Sequence, residues 1–464
     1  MKKTSKQITF GCLLIFFLLV NLAACKNSGT MSELSEGKPT SFNKGSEEMT
    51  IEDYCNLYLN AMPKVVELPE FNPDSDPESS ANEWSNIKAI TYDGAEIGGN
   101  KTKIFAYVGF PDGASDTNKV PAIVLVHGGG GHAFAEWIKL WNDRGYAAIA
   151  MDNTGFFPSE SGKGVSGHEA DNAAMWNYGL YGEFMESGYV NAPNNDEMNS
   201  SSKPLDQQWM YHAVISTIVA RNVLAADKRV DSSKIGITGI SWGGVITSLV
   251  IGFDPNFAFA IPVYGSGYLD ESHSWMGPIF SSPKTKEMWS AADRFNKVSI
   301  PVLWLGWTND VAFSINSNSK SYDDTKETGS ILSMIYGWGH SHGQGWKPKE
   351  AFLFADSIVQ NGPTMTICKT EPEGKNFSFT ICPASDAIKI KARVIYITQP
   401  LSYSSKTEGG WPEIDQTWKA MDCTIEDNTV RGSLPSSTKG YYVELTTTTP
   451  NGKFTTTSRF VDEL

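Results

Sequence analysis

The chain has 464 residues, of which 40 % are apolar and 12 % aromatic. That is too long for one ordinary hydrophobic core and rich enough to bury a sizeable interior. Its formal charge of −14 excludes a nucleic-acid partner, whose phosphates need a Lys/Arg surface, and attraction to an anionic membrane by charge. No period of roughly 20–50 residues recurs, which excludes a solenoid.

The first residues read as an export signal. Lys2, Lys3 and Lys6 form a positive start, Ile8 to Val20 is mostly apolar, and Leu22-Ala-Ala-Cys25 follows. That tetrapeptide resembles the bacterial lipobox, in which the cysteine is lipidated and becomes the mature N-terminus. The plainer alternative is an uncleaved anchor or an ordinary signal with a chance cysteine. With Cys25 lipidated, the protein is expected on the bacterial cell envelope, facing periplasm or exterior and touching membrane only through its lipid. Lys26 to about Glu48 is rich in Ser, Gly, Lys and Glu and reads as a solvated tether. Residues 26–83 are thus taken as tether and N-terminal extension. Cys55, Cys368, Cys382 and Cys423 remain for an oxidising compartment, and a disulfide among the last three is expected, of unspecified pairing. There is no CxxC pair or HExxH motif, so no metal is indicated.

From about Trp84 the pattern is regular. Ile87 to Tyr92 and Lys103 to Phe110 alternate as strands, and Ala122-Ile-Val-Leu-Val126 is a continuous apolar run that suits a central parallel strand. Tyr146 to Met151 is a second such run. Asn153 to Lys203 has no clean period and reads as an insertion over the site. Asp206 is placed to cap a helix with Met210, Val214, Ile218 and Ala225 on one stripe. Further strands are Lys234 to Ile240, Phe257 to Val263, Pro301 to Trp307 and Ile331 to Tyr336, and a last helix starts at Pro348. Strand–helix alternation predicts an α/β fold over 84–362, a mostly parallel sheet covered on both faces. After Pro363, short alternating stretches and Thr/Ser-rich turns predict a small all-β, sandwich-like domain over 363–464.

Gly239-Ile-Ser241-Trp-Gly243 matches G-x-S-x-G between a β run and a helical run, the setting in which this motif makes a nucleophile elbow. His127-Gly-Gly-Gly-Gly131 closes the earlier buried strand as an HGGG-type oxyanion turn does, with Gly128 and Gly129 as candidate donors beside the Trp242 N–H. His127 and His132 read as structural. The acid should follow a later strand, and Asp310 does; Asp323 and Asp324 are weaker rivals in a polar helix or loop. The base should follow the next strand, where Gly339-His340-Ser341-His342 offers two histidines. His340 is favoured, with His342 as the alternative. The order Ser, Asp, His is that of α/β-hydrolases.

The stretch from His127 to Asp356 resembles acetylxylan-esterase-like and dienelactone-hydrolase-like proteins, relatives of the prolyl oligopeptidase catalytic domain. The resemblance is carried by His127 to Gly131, Gly145 to Asp152, Gly239 to Gly244, Pro262-Val-Tyr-Gly265, Thr308-Asn-Asp310 and the His-Ser-His cluster. It implies the α/β-hydrolase fold, a Ser-Asp-His triad and acyl-enzyme chemistry without a cofactor. The expected partner is an acylated small molecule or glycan, and the expected reaction is cleavage of a small-acyl, acetyl-type carbohydrate ester. A prolyl-oligopeptidase-like peptidase and a non-catalytic surface glycan-binding protein are the competing readings. Phe156, Phe157, Trp176, Tyr178, Tyr181, Phe184, Tyr189, Trp209 and Tyr211 either stack on sugar rings or pack the insertion's own core.

Overall fold

The continuous apolar runs become the central strands of one large sheet, because a strand covered on both faces has no polar side to present. The computed structural model describes residues 49–73, 84–158, 181–182, 188–193, 201–403, 405–406 and 411–464. The leader, Cys25 and the tether lie outside these residues, as do Trp176, Tyr178 and Phe184. The main path of the sheet runs through β1 (Val65–Glu67), β2 (Ile87–Asp93), β3 (Lys101–Gly109), β4 (Val120–Val126), β5 (Ala147–Met151), β6 (Val230–Ile240), β7 (Phe259–Val263), β8 (Leu303–Trp307) and β9 (Ile331–Ile335), and the short strand Tyr189–Val190 pairs with β3 off that path. Their spatial order is β1-β2-β3-β5-β4-β6-β7-β8-β9. Pairing is antiparallel from β1 to β5 and parallel from β5 onward. Every residue of β5 and β7 is buried, as expected for strands at the middle of a two-sided sheet.

The helices α1 (Ile51–Tyr58), α2 (Ala135–Asn142), α3 (Trp209–Ala226), α4 (Trp242–Phe253), α5 (Ile315–Thr325) and α6 (Lys349–Val359) cover the faces. Helix α3 is buried nearly all round rather than along one stripe. Its outer side is closed by α1, where Asn222 Nδ2 donates to the Tyr58 and Ala61 carbonyls and Arg221 Nη2 to that of Leu59. The N-terminal extension therefore supplies a helix and an edge strand to the fold. Asp206 does not cap α3. It sits in a short 3-10 turn, and its Oδ2 accepts from the Gly98 N–H. Among the described residues, no helix is long and apolar enough to cross a membrane.

After α6 the chain forms two small antiparallel sheets. One pairs Ile367–Cys368, Asn376–Cys382, Thr429–Ser433 and Thr424–Glu426; the other pairs Lys419–Asp422, Lys389–Ile397, Gly440–Thr449 and Gly452–Thr457. Period-2 alternation sorts their side chains. Phe377, Phe379, Val394, Val430, Tyr441, Val443 and Leu445 fill the space between the sheets. Ile395, Ile397, Tyr442 and Phe454 point the other way and join the hydrolase core. The start of the β region at Pro363 is therefore a change of topology, not of packing. The expected disulfide is absent: Cys368, Cys382 and Cys423 are free. Cys368 pairs with Ile381 and Cys382 with Ile367, so the first two thiols project from opposite faces and cannot meet.

Candidate active site

Open parallel sheets place their chemistry beyond the carboxyl ends of the strands. His127 follows β4, Ser241 follows β6, Tyr264 follows β7, and the turns carrying Asp310 and His340 follow β8 and β9. Since these strands are neighbours, all five residues gather along one edge.

Ser241 has φ 58, a left-handed conformation that a non-glycine residue rarely takes, and such strain costs about 1–3 kcal/mol. The surrounding structure holds it there. Its N–H donates to the Val263 carbonyl at 2.8 Å, and its carbonyl accepts from Val245 at 3.0 Å. The flanking glycines are steric requirements: a Cβ on Gly243 would lie 1.9 Å from the Val126 carbonyl oxygen. Ser241 is 8 % exposed. Trp242 opens α4, so its N–H lies in the first turn, where intrahelical partners are lacking.

The Gly-rich turn lies against the elbow. A Cβ on Gly128 would come 2.6 Å from the Ile240 carbonyl oxygen and 3.0 Å from the Ser241 Cβ. The Gly128 N–H, expected as an oxyanion donor, instead donates to His342 Nε2 at 2.9 Å. A donor already paired inside the protein cannot also meet a developing oxyanion. The N–H groups of Gly129 and Trp242 carry no hydrogen bond among the described residues, and they are the pair left for that task.

Three buried histidines brace the turn in neutral form. His127 Nδ1 lies 2.8 Å from the Gly128 carbonyl and Nε2 accepts from the Asn153 N–H at 3.0 Å, which fixes the Nδ1–H tautomer. Asp152 Oδ2 lies 3.6 Å from that Nε2, but it meets a lone pair rather than a proton and makes no ion pair. Burial lowers His132 to about 4. Burial, followed by the neighbouring His127, His132 and His340, lowers His342 to about 3. His342 is thus an acceptor for Gly128 and packs beside Phe134, with ring centroids 5.1 Å apart.

His340 takes the other position. Its Nδ1 donates to Asp310 Oδ2 at 2.7 Å. Asp310 Oδ1 accepts from the Ala312 and Phe313 N–H groups at 2.9 and 3.0 Å, so the carboxylate is held from both oxygens. This leaves His340 Nε2 as the lone-pair nitrogen, buried and without a partner among the described residues, the protonation pattern a general base requires. Asp323 and Asp324 lie on α5; Asp324 accepts from the Tyr268 hydroxyl.

Several neighbours of the site escaped the sequence reading. Tyr264, itself at φ 48, stacks on His340 and donates its hydroxyl to the Gly339 carbonyl. Trp411, in the sequence Gly-Gly-Trp-Pro of the C-terminal region, lies on the same imidazole. A tryptophan outside the alternating strands is the only signal the sequence offered. Trp275, 48 % exposed, stands 5.7 Å from Trp242. The aromatic residues singled out earlier mostly serve packing. Phe157 lies edge-on to Phe71 and Phe105, Trp209 and Tyr211 are buried, and Lys103 Nζ sits over Tyr189.

Residues 104–330 match the Dienelactone hydrolase family. No curated protein matches the chain. Among solved structures, the chain is similar to an acetyl xylan esterase from Paenibacillus sp. R4, at 16 % identity and TM-score 0.44 over 66 % of this chain and 93 % of that one. Acetyl Xylan Esterase 1 from Thermoanaerobacterium sp. JW/SL YS485 is similar at 16 % identity and TM-score 0.43, over 66 % and 93 %. An acylaminoacyl peptidase from Pyrococcus horikoshii is similar at 18 % identity and TM-score 0.38, over 56 % and 38 %. The matched stretch, residues 104–330, carries both Ser241 and Asp310, and it is this part of the chain that is similar to the dienelactone hydrolase family of α/β-hydrolases.

Proposed function

We propose that the protein is an exported serine hydrolase of carboxylic esters, acting on small-acyl, acetyl-type esters of carbohydrate. The observation that carries the reading is the 2.7 Å Asp310–His340 hydrogen bond, which leaves a lone-pair Nε2 on the turn after β9, along the same sheet edge as the strained Ser241 elbow. His340 Nε2 takes the Ser241 proton as Oγ bonds to the acyl carbon. Asp310 holds the imidazole in its tautomer and stabilises the imidazolium that forms. The Gly129 and Trp242 N–H groups receive the oxyanion. His340 then returns the proton to the departing alcohol, and water, deprotonated in turn by His340, releases the acyl group.

Two features support the substrate class. Trp242, Trp275 and Phe280 stand together beside the nucleophile, an aromatic wall that favours a short acyl chain. The exposed face of Trp275 is a platform on which a sugar ring can stack. Export and lipidation at Cys25 would place this site outside the cytoplasm, where polymeric glycans are met.

The test uses the mature protein and its Ser241→Ala variant. The expected result is fluorophosphonate labelling of the native protein alone, and kcat/KM falling from acetyl through butyryl to octanoyl esters, with turnover of acetylated xylo-oligosaccharides. Extra methylenes change binding by about 1–3 kcal/mol each, so the fall should be graded. Preference for a proline amide would move the assignment to a peptidase, and absence of labelling would leave a binding protein. For location, Cys25→Ala should abolish incorporation of a palmitate analogue; equal label on both proteins would refute the lipobox reading.

A further inference from the structure

The hydrogen bond to Asp310 anchors one edge of the His340 imidazole and leaves its far edge, with Nε2, some freedom to tilt. The structure removes that freedom with two flat rings. Tyr264 stacks at 4.3 Å between centroids and 22°, and Trp411 at 4.0 Å and 13°. Two rings lying so close over one face of an imidazole would collide, so they occupy opposite faces.

The rings are held by different parts of the molecule. Tyr264 belongs to the hydrolase sheet and is tied by its hydroxyl to the Gly339 carbonyl, one residue before His340. Trp411 opens a segment of the C-terminal region that also grips the turn of the acid. The Ile414 N–H donates to the Asn309 carbonyl at 2.9 Å, Glu413 bridges Asp310 backbone to backbone, and Trp418 Nε1 donates to Asn309 Oδ1 at 2.7 Å. One stretch of chain therefore sets the acid's turn and faces the base. The Trp411 Nε1 has no partner among the described residues, so packing alone orients its ring.

We propose that Trp411 is a positioning residue for the base: its indole, opposite Tyr264, holds His340 with Nε2 turned to the Ser241 proton, which makes the C-terminal β region a required part of the catalytic site. The inference rests on the serine-hydrolase reading and goes beyond it, since the family match ends at residue 330. The indole face also favours the imidazolium that forms as the serine gives up its proton.

The experiment compares native full-length mature protein with Trp411→Phe and Trp411→Leu. The first readout is the rate of Ser241 labelling by a fluorophosphonate, in which Oγ bonds to phosphorus, fluoride leaves and His340 takes the serine proton. The second is kcat and KM on p-nitrophenyl acetate, with melting temperature as the fold control. Trp411→Leu should slow labelling and kcat about 30-fold with KM within two-fold, an effect in the range of misoriented catalytic groups. Trp411→Phe, which keeps a flat ring, should stay within about three-fold of native, since stacking needs a π face and not the indole N–H. Trp411→Met serves as the aliphatic variant if Trp411→Leu does not fold. Labelling of the aliphatic variant at the native rate overturns the inference alone. So does a rise in KM at constant kcat, which would make Trp411 a substrate contact, or an equal loss in Trp411→Phe. Native protein that does not label overturns both this inference and the reading beneath it.

Discussion

The nucleophile side of the site and the acid–base side are built differently. Ser241 and the His127–Gly131 turn meet because β4 and β6 are adjacent strands, and their fit is backbone against backbone, as the Gly243 contact with Val126 and the Gly128 contact with Ile240 illustrate. Asp310 and His340 are instead completed from a distance, by Tyr264 and by the segment from Trp411 to Trp418. Steric demands of the first kind leave glycines in the sequence. A ring clamp of the second kind leaves ordinary aromatic residues that nothing in the local pattern marks.

The largest expected effect separates the two histidines. His340→Ala should lower kcat by about 10³–10⁴-fold, the scale of a lost general base in a triad. His342→Ala should act chiefly on stability, by about 1–3 kcal/mol, because it leaves the buried Gly128 N–H without its acceptor. Kinetics and thermal melts of the two variants check this, and equal kinetic losses would erase the distinction drawn between the two sides.

A smaller effect should distinguish their glycines. Gly128→Ala forces a Cβ to 2.6 Å from a backbone oxygen, and the resulting shift of turn or elbow should lower kcat about 10²-fold. Gly339→Ala meets nothing within 4 Å and has no positive φ, so it should stay within about two-fold of native. If both variants were equally active, the backbone fit would not be the constraint on the nucleophile side.

The smallest effect concerns pH. Folding holds His132 near 4 and His342 near 3 by burial, whereas the unfolded chain protonates histidines near 6.5. The unfolded state therefore binds more protons between pH 6.5 and about 4, and stability falls as pH drops through that window. Each histidine should contribute at most about 2 kcal/mol of loss between pH 7 and 5. Urea unfolding at the two pH values measures the fall, and NMR should find both imidazoles neutral in the folded protein at pH 5. Titration of either ring near 6.5 would contradict its place in the brace.

Much of this molecule was readable from local order. Apolar runs such as Ala122 to Val126 marked buried parallel strands, because a strand enclosed on both faces tolerates no polar residue. The strand–GxSxG–helix sequence marked the elbow, because only small neighbours let Ser241 adopt its positive φ. The Asp310 and His340 turns followed from chain order along the sheet. The sequence could not say that the Gly128 N–H is occupied by His342, that Cys368 and Cys382 face apart, or that Trp411 lies on the base. Local pattern reports what one segment demands of its own backbone and of water. Which side chain meets a given ring or N–H depends on the registers and contacts between segments distant along the chain, and these exist only once the sheet and the C-terminal strands have packed together.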